Sequence, residues 1–247
     1  MLVAHLLALA SYVLASTSKV QDYGRRSEFQ VGDAIPVLPA NGGSSELPSP
    51  PQGVILKHIA LGFGVQNYSC ADVNAIPSAA GALAVLYDVT WLYPDQEGSP
   101  LTHEEWTSLP PHILDTGKAP LNRDSSGNIC LTHPFPKKGS LKVEGFRKRL
   151  PYLGQHFFNA AGVPTFDLDT YSRLLIARKV YGIEAPASSS AGPDGTGAVD
   201  WLYLEDAGGS IGVSIVYRVL TAGGVSHGCG AKGSDSTSYA ALYWFYG

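Results

Sequence analysis

Residues 198–247 read AVDWLYLEDAGGSIGVSIVYRVLTAGGVSHGCGAKGSDSTSYAALYWFYG. Three apolar, aromatic-rich runs are separated by glycine turns, and a cysteine stands at the last bend. The alternation within each run is that of a strand. In the middle run Ile211, Val213, Ile215, Tyr217 and Val219 oppose Gly212, Ser214, Val216, Arg218 and Leu220. Strands joined by short Gly-rich turns pair antiparallel with their neighbours. This stretch therefore predicts the closing wall of an all-β domain.

Working outward, the same period recurs. In residues 54–68, Ile55, Ile59, Leu61, Phe63 and Val65 share one face, and His58, Gly62, Gly64 and Gln66 share the other. ALAVLYDVTWL at 82–92 reads as a second strand. HFFNAAGVPTFDL at 156–168 is apolar but interrupted by Gly and Pro, and LLIARKVYG at 174–182 fits a strand or two helical turns. Residues 93–153 are Pro-punctuated; within them Thr102-x-x-Glu105 matches a capping box before a short helix that contains Trp106. Residues 188–197 (SSSAGPDGTG) form a turn-rich loop. Charged residues are only 15% of the chain, whereas Gly (28), Pro (17) and Tyr (13) are plentiful. Many strands and no strong long helix predict an antiparallel β-barrel or β-sandwich with long Pro/Gly-rich loops and at most short helices.

The chain opens with MLVAHLLALASYVLASTSK, an apolar run too short to span a bilayer, followed by small residues at Val13 and Ala15. This pattern predicts a secretory signal peptide over 1–15. Residues 16–51 lack periodicity and predict a flexible N-terminal arm, leaving 52–247 as a single β domain. In an oxidising compartment two of the three cysteines should pair. Cys70 with Cys229 is favoured because both end strand-like runs, although the other pairings stay open. Cys130 would then be free or paired between molecules. Asn67-Tyr68-Ser69 is the one Asn-x-Ser/Thr sequon and a candidate glycan site in a secreted chain. The formal net charge of −4 provides no basic footprint for nucleic acid or an anionic membrane.

Four blocks, GFGVQNYSCA (62–71), HFFNAAGVPTFDL (156–168), VDWLYLEDAGGSIGVSIVYRVLTAGG (199–224) and the closing YAALYWFYG, resemble a family of secreted fungal and bacterial proteins known as a domain of unknown function. Its fungal members often carry the label malate dehydrogenase. The resemblance covers about residues 52–247, is most specific over 199–247, implies a compact secreted β domain, and carries over no catalytic residues. A nicotinamide-dependent dehydrogenase needs a Gly-rich turn between a strand and a helix. The nearest match, Gly62-Phe63-Gly64-Val65-Gln66-Asn67, has Asn at the third Gly position and lies inside a strand pattern. No cofactor is expected.

Other candidate chemistry is weighed in the same way. Gly208-Gly209-Ser210-Ile211-Gly212 fits the serine-elbow spacing, but a strand follows where a helix is required, so a β-turn is the better reading. The histidines lack metal-ligand spacing, and no metal site is expected. His156 with Asp167 could form an acid–base pair if the PTFDL segment folds back, and His58, on the face of Gln66, is a second pocket candidate. Trp201, Tyr203 and Tyr217 could line a pocket for a flat or apolar ligand, with Arg218 as an anchor for an acidic group or a structural partner of Asp200 or Asp206. The basic residues Lys137, Lys138, Lys142, Arg147, Lys148 and Arg149 read as a solvated loop face. Two functions follow as expectations: a secreted domain that binds a small organic ligand or glycan, or a cofactor-free isomerase or cyclase acting in an aromatic pocket.

Overall fold

The computed structural model describes residues 35–247 apart from Glu97; the predicted signal peptide and the first part of the predicted arm lie outside the described residues. Eight strands form a closed barrel in which each strand pairs with its sequence neighbours and β1 pairs with β8. They are β1 (Leu56–Cys70), β2 (Ser78–Asp88), β3 (Tyr152–Phe158), β4 (Pro164–Leu168), β5 (Arg173–Ile183), β6 (Trp201–Asp206), β7 (Ile215–Gly223) and β8 (Gly233–Tyr246). All the ladders are antiparallel. Closure, rather than a second sheet, removes the exposed edges. Two short helices, α1 (His103–Thr107) and α2 (Leu109–Thr116), lie in the long connection between β2 and β3.

Strand alternation builds two apolar layers rather than one. Inside the barrel, Phe166 of β4 meets Tyr243 and Phe245 of β8 at ring-centroid distances of 5.4 and 5.5 Å, and Leu86, Leu153 and Leu175 fill the remaining space. These large side chains from β4 and β8 lie across a face of β1 and β2 made of Ala60, Gly62, Gly64, Ala82 and Ala84. A Cβ on Gly62 would sit 2.4 Å from the Tyr243 ring, and one on Gly64 would sit 1.9 Å from the Leu83 carbonyl oxygen. The β1 glycines thus serve aromatic packing and close strand approach, the role glycine plays in sharply coiled strands. The face that sequence alternation marks as the less apolar side of β1 is the barrel interior, and both faces are buried.

Outside the barrel, Ile59, Leu61, Phe63, Tyr217, Leu242 and Trp244 form the second layer. It is covered by the β2–β3 connection, with α2 packed on β7, β8 and β1. Leu38 and Leu47, from the described part of the N-terminal segment, also pack here, and Tyr93 Oη accepts a hydrogen bond from the Val37 N–H at 3.1 Å. The capping box at α1 is formed: Thr102 Oγ1 accepts from the Glu105 N–H, and Glu105 Oε2 accepts from the Thr102 N–H. The outer faces of β3 to β5 carry half-buried or exposed side chains such as Gln155, Asp167 and Arg178.

Cys70 and Cys229 form a disulfide, and Cys130 is free. The bridge joins the end of β1 to the loop between β7 and β8, beside the Cys70–Gly233 pair that ends the closing ladder. It spans 159 residues and in the loop-entropy account stabilises by about 4–5 kcal/mol. Two sequence expectations shift. The strand predicted from Ile211 begins at Ile215, because residues 207–214 turn back on β5: Ile211 and Leu174 exchange backbone hydrogen bonds of 2.7 and 3.0 Å. Residues 174–182 lie within strand β5, not a helix.

Candidate functional site

A cleft of about 550 Å³ opens on the outside of the barrel, between the helical pair α1–α2 and the turn at 144–148. Each wall follows from local sequence. Pro110 and Pro111 open α2, where missing N–H groups cost nothing, and Leu109 anchors that wall in the core. Gly145, at φ +78°, allows the tight turn that brings Phe146 and the basic pair Arg147–Lys148 to the opposite wall. The walls are tied together by His112, whose Nε2–H donates to the Glu144 carbonyl at 2.9 Å. Trp91, from the 3-10 turn after β2, lines the cleft, and the Lys148 ammonium lies 5.3 Å from its ring centroid. The lining is mostly apolar with a polar rim, and the volume suits a small organic ligand.

The residues predicted to bind from the sequence do not converge here or with one another. Alternation sends Arg218 and Gln66 into the barrel, and Trp201, Tyr203 and Tyr217 to its outer layer. Trp201 and Tyr217 are fully buried core groups; the Trp201 Nε1 and Tyr217 Oη atoms lie beneath the covering layer without a hydrogen-bond partner among the described residues. Tyr203 stacks on Tyr217 at 4.8 Å and donates to Glu205 at 2.6 Å; burial and the Glu205 carboxylate push its phenol up to about 12. Gln66 donates to the Gly81 carbonyl. Arg218 donates to the Asp200 carbonyl through Nε and Nη2, at 3.1 and 2.9 Å. That carbonyl, not a carboxylate of Asp200 or Asp206, is its structural partner. Tyr243, hydrogen-bonded to the Tyr239 hydroxyl at 3.0 Å, is a further buried polar group inside the barrel.

His156 and Asp167 do not form a pair. His156 lies opposite Phe166 in the β3–β4 ladder, and Asp167 lies opposite Gln155, on the other face. The His156 ring is buried, stacks on Phe166 at 4.0 Å, and its Nδ1–H donates to the Thr165 carbonyl; burial lowers its pKa to about 4, so the ring is neutral. His58 is also fully buried, where an edge strand would have left it in solvent. Its Nδ1 lies 3.3 Å from Asp88 Oδ2, without hydrogen-bond geometry. Nε2 accepts from Arg173 Nη1. A guanidinium can only donate, so Nε2 is the acceptor in that contact. Arg173 thus takes up one ring nitrogen of His58, and the Thr165 carbonyl one of His156.

Ser210 sits in the loop between β6 and β7, where it donates to Asp206 Oδ1 at 2.5 Å. It stands on no strand-to-helix elbow. A grouping that sequence spacing did not suggest lies beside the disulfide. Asp235 accepts from Ser226 Oγ (2.6 Å), the His227 backbone N–H (2.9 Å) and His227 Nδ1 (2.9 Å). All three bonds end on the carboxylate, so Ser226 is not aligned to give its proton to His227, and the set fastens the loop. Among the described residues no group of three or more His, Cys, Asp or Glu is placed to hold a metal ion.

Fold and cleft together define an eight-stranded antiparallel barrel with an external ligand-sized groove. The family described as "Protein of unknown function (DUF3455)" matches residues 50–247, and the chain belongs to that family. No curated protein and no solved structure matches the chain.

Proposed function

We propose that the protein is a secreted binding domain that holds a small organic molecule in the cleft between α1–α2 and the 144–148 turn. The observation that carries this reading is the cleft itself, about 550 Å³ with Trp91, Leu109 and Phe146 on its walls and charged groups confined to its rim. Apolar lining with a few polar groups for orientation is the usual composition of such sites. Secretion is supported by the disulfide, which persists in oxidising compartments, and by the apolar leader. Among the described residues no helix is long and apolar enough to cross a membrane. The barrel interior, which a cyclase or isomerase reading would use as its reaction chamber, is occupied by Phe166, Phe245, Tyr239 and Tyr243, so binding on the outside is the reading carried forward.

Native mass spectrometry of the protein isolated from its own secretome tests this. The expected result is a retained organic species that is lost from the Trp91→Ala variant. A protein that carries nothing and shows no thermal shift across a panel of metabolites refutes the reading.

A further inference from the structure

The rim of the cleft carries two acidic and two basic side chains, Glu105, Glu144, Arg147 and Lys148, and the two bases stand side by side in sequence. Arg147 and Lys148 are both exposed at the rim, and among the described residues neither lies within 4.0 Å of a carboxylate. Two other basic residues of the same connection are engaged elsewhere: Lys138 pairs with Asp169, and Arg149 donates to Ser140 through Nε and Nη2. On the acidic side, Glu105 is committed to the α1 cap through Thr102. Lys148 holds its ammonium over the Trp91 ring. An organic anion beside the ring gains from that cation, whereas a neutral sugar does not.

Resting on the reading of the cleft as a binding site, we propose that its ligand is a planar organic acid. Its apolar body lies against Trp91 and Phe146, and its carboxylate is held by Arg147 and Lys148. Arg147 provides a planar fork that meets both carboxylate oxygens, and Lys148 provides a point charge already positioned by its contact with Trp91. Glu144, also at the rim, opposes the acid by like-charge repulsion and limits how tightly it is held.

Isothermal titration calorimetry on the secreted protein tests the proposal, with 2-naphthoate, its neutral amide and a neutral trisaccharide as probes. Naphthoate is expected to bind more tightly than the amide, with an affinity that falls as salt is raised. Arg147→Gln and Lys148→Gln should each weaken naphthoate by about two- to fivefold, the range for exposed charge pairs, and leave the amide unchanged. Glu144→Gln should strengthen naphthoate, and Trp91→Ala should weaken both aromatic probes. Equal binding of acid and amide, with Trp91→Ala still harmful, overturns the acid and leaves the cleft standing. Binding of the trisaccharide alone, lost on Trp91→Ala, replaces the acid by a glycan. If no probe binds, or if Trp91→Ala changes nothing, both the ligand class and the cleft as its site are overturned.

Discussion

Gly62→Ala tests whether the barrel interior is as full as its geometry implies. The new methyl carbon would stand 2.4 Å from Tyr243 Cε2, 2.9 Å from Cδ2 and 3.3 Å from Leu86 Cδ2. Ordinary contact requires the ring to retreat by about 1 Å. It has nowhere to go: Tyr243 is 1% exposed, Phe166 and His156 stand 5.4 and 5.9 Å away, and its hydroxyl is hydrogen-bonded to Tyr239. Forced overpacking costs about 1–3 kcal/mol. Losing the Tyr243–Tyr239 bond adds roughly 1 kcal/mol. The lower entropy of the unfolded alanine chain returns about 0.4–1 kcal/mol. The expected net loss is about 1.5–3 kcal/mol, or roughly 3–12 °C in Tm for a chain of this size. Guanidinium denaturation followed by circular dichroism under non-reducing conditions measures it. Gly139→Ala, whose new methyl would meet only the Lys137 carbonyl at 3.8 Å, is the control and should be neutral. If Gly62→Ala is as stable as the control, the interior is loose and the packing account of the β1 glycines fails.

Three further outcomes are expected. His156 is neutral when folded, with its pKa lowered to about 4 from 6.5. The unfolded chain therefore binds the extra proton first, and stability is fully present above about pH 6.5 and falls as pH drops toward 4. The loss is about 3 kcal/mol, and His156→Phe should flatten that part of a urea-stability profile; an unchanged profile would contradict the neutral buried ring. Replacing Cys70 and Cys229 together by Ala should cost about 2–5 kcal/mol, measured as a lower guanidinium midpoint, and dithiothreitol should then have no further effect on stability. Expression through a eukaryotic secretory pathway should add a glycan at Asn67, whose Oδ1 is engaged by Ser236 while Nδ2 has no partner among the described residues. Mass spectrometry before and after N-glycosidase treatment decides it, with Asn67→Gln as the blank.

The barrel was legible in the sequence because alternation survives wherever strands have two distinct faces. Ile59, Leu61, Phe63 and Val65 announce β1 as plainly as Leu242, Trp244 and Tyr246 announce β8. What alternation leaves open is which face is the core, since in a closed barrel wrapped by a second layer both are. For that reason His58, Gly62, Gly64 and Gln66 looked like the weaker side of a strand, and Trp201, Tyr203 and Tyr217 looked available to a ligand. The Cys70–Cys229 bridge was legible because both cysteines end strand-like runs. The cleft was not. Trp91, Leu109, Phe146 and Lys148 come from a connection without periodicity, and only the way it folds back over the barrel makes them neighbours. The basic residues around 147 read as a solvated face, and what distinguishes Arg147 and Lys148 from Lys138 and Arg149 is their lack of an acceptor among the described residues.

The seam between β1 and β8 has a consequence for biosynthesis. Its ladder runs from Leu56–Tyr246 to Cys70–Gly233, so on the ribosome β1 must wait for β8. Until then β1 is an unpaired edge rich in Ile, Leu, Phe and Val, the kind of segment that recruits strands from other chains. Pairing so distant in sequence also makes folding slow. The disulfide cannot form until Cys229 has followed Cys70 by 159 residues, so on the secretory route proposed above a shortage of folding capacity should leave this protein as reduced, chaperone-bound chains. Its yield would then depend on oxidoreductase supply more than on translation rate.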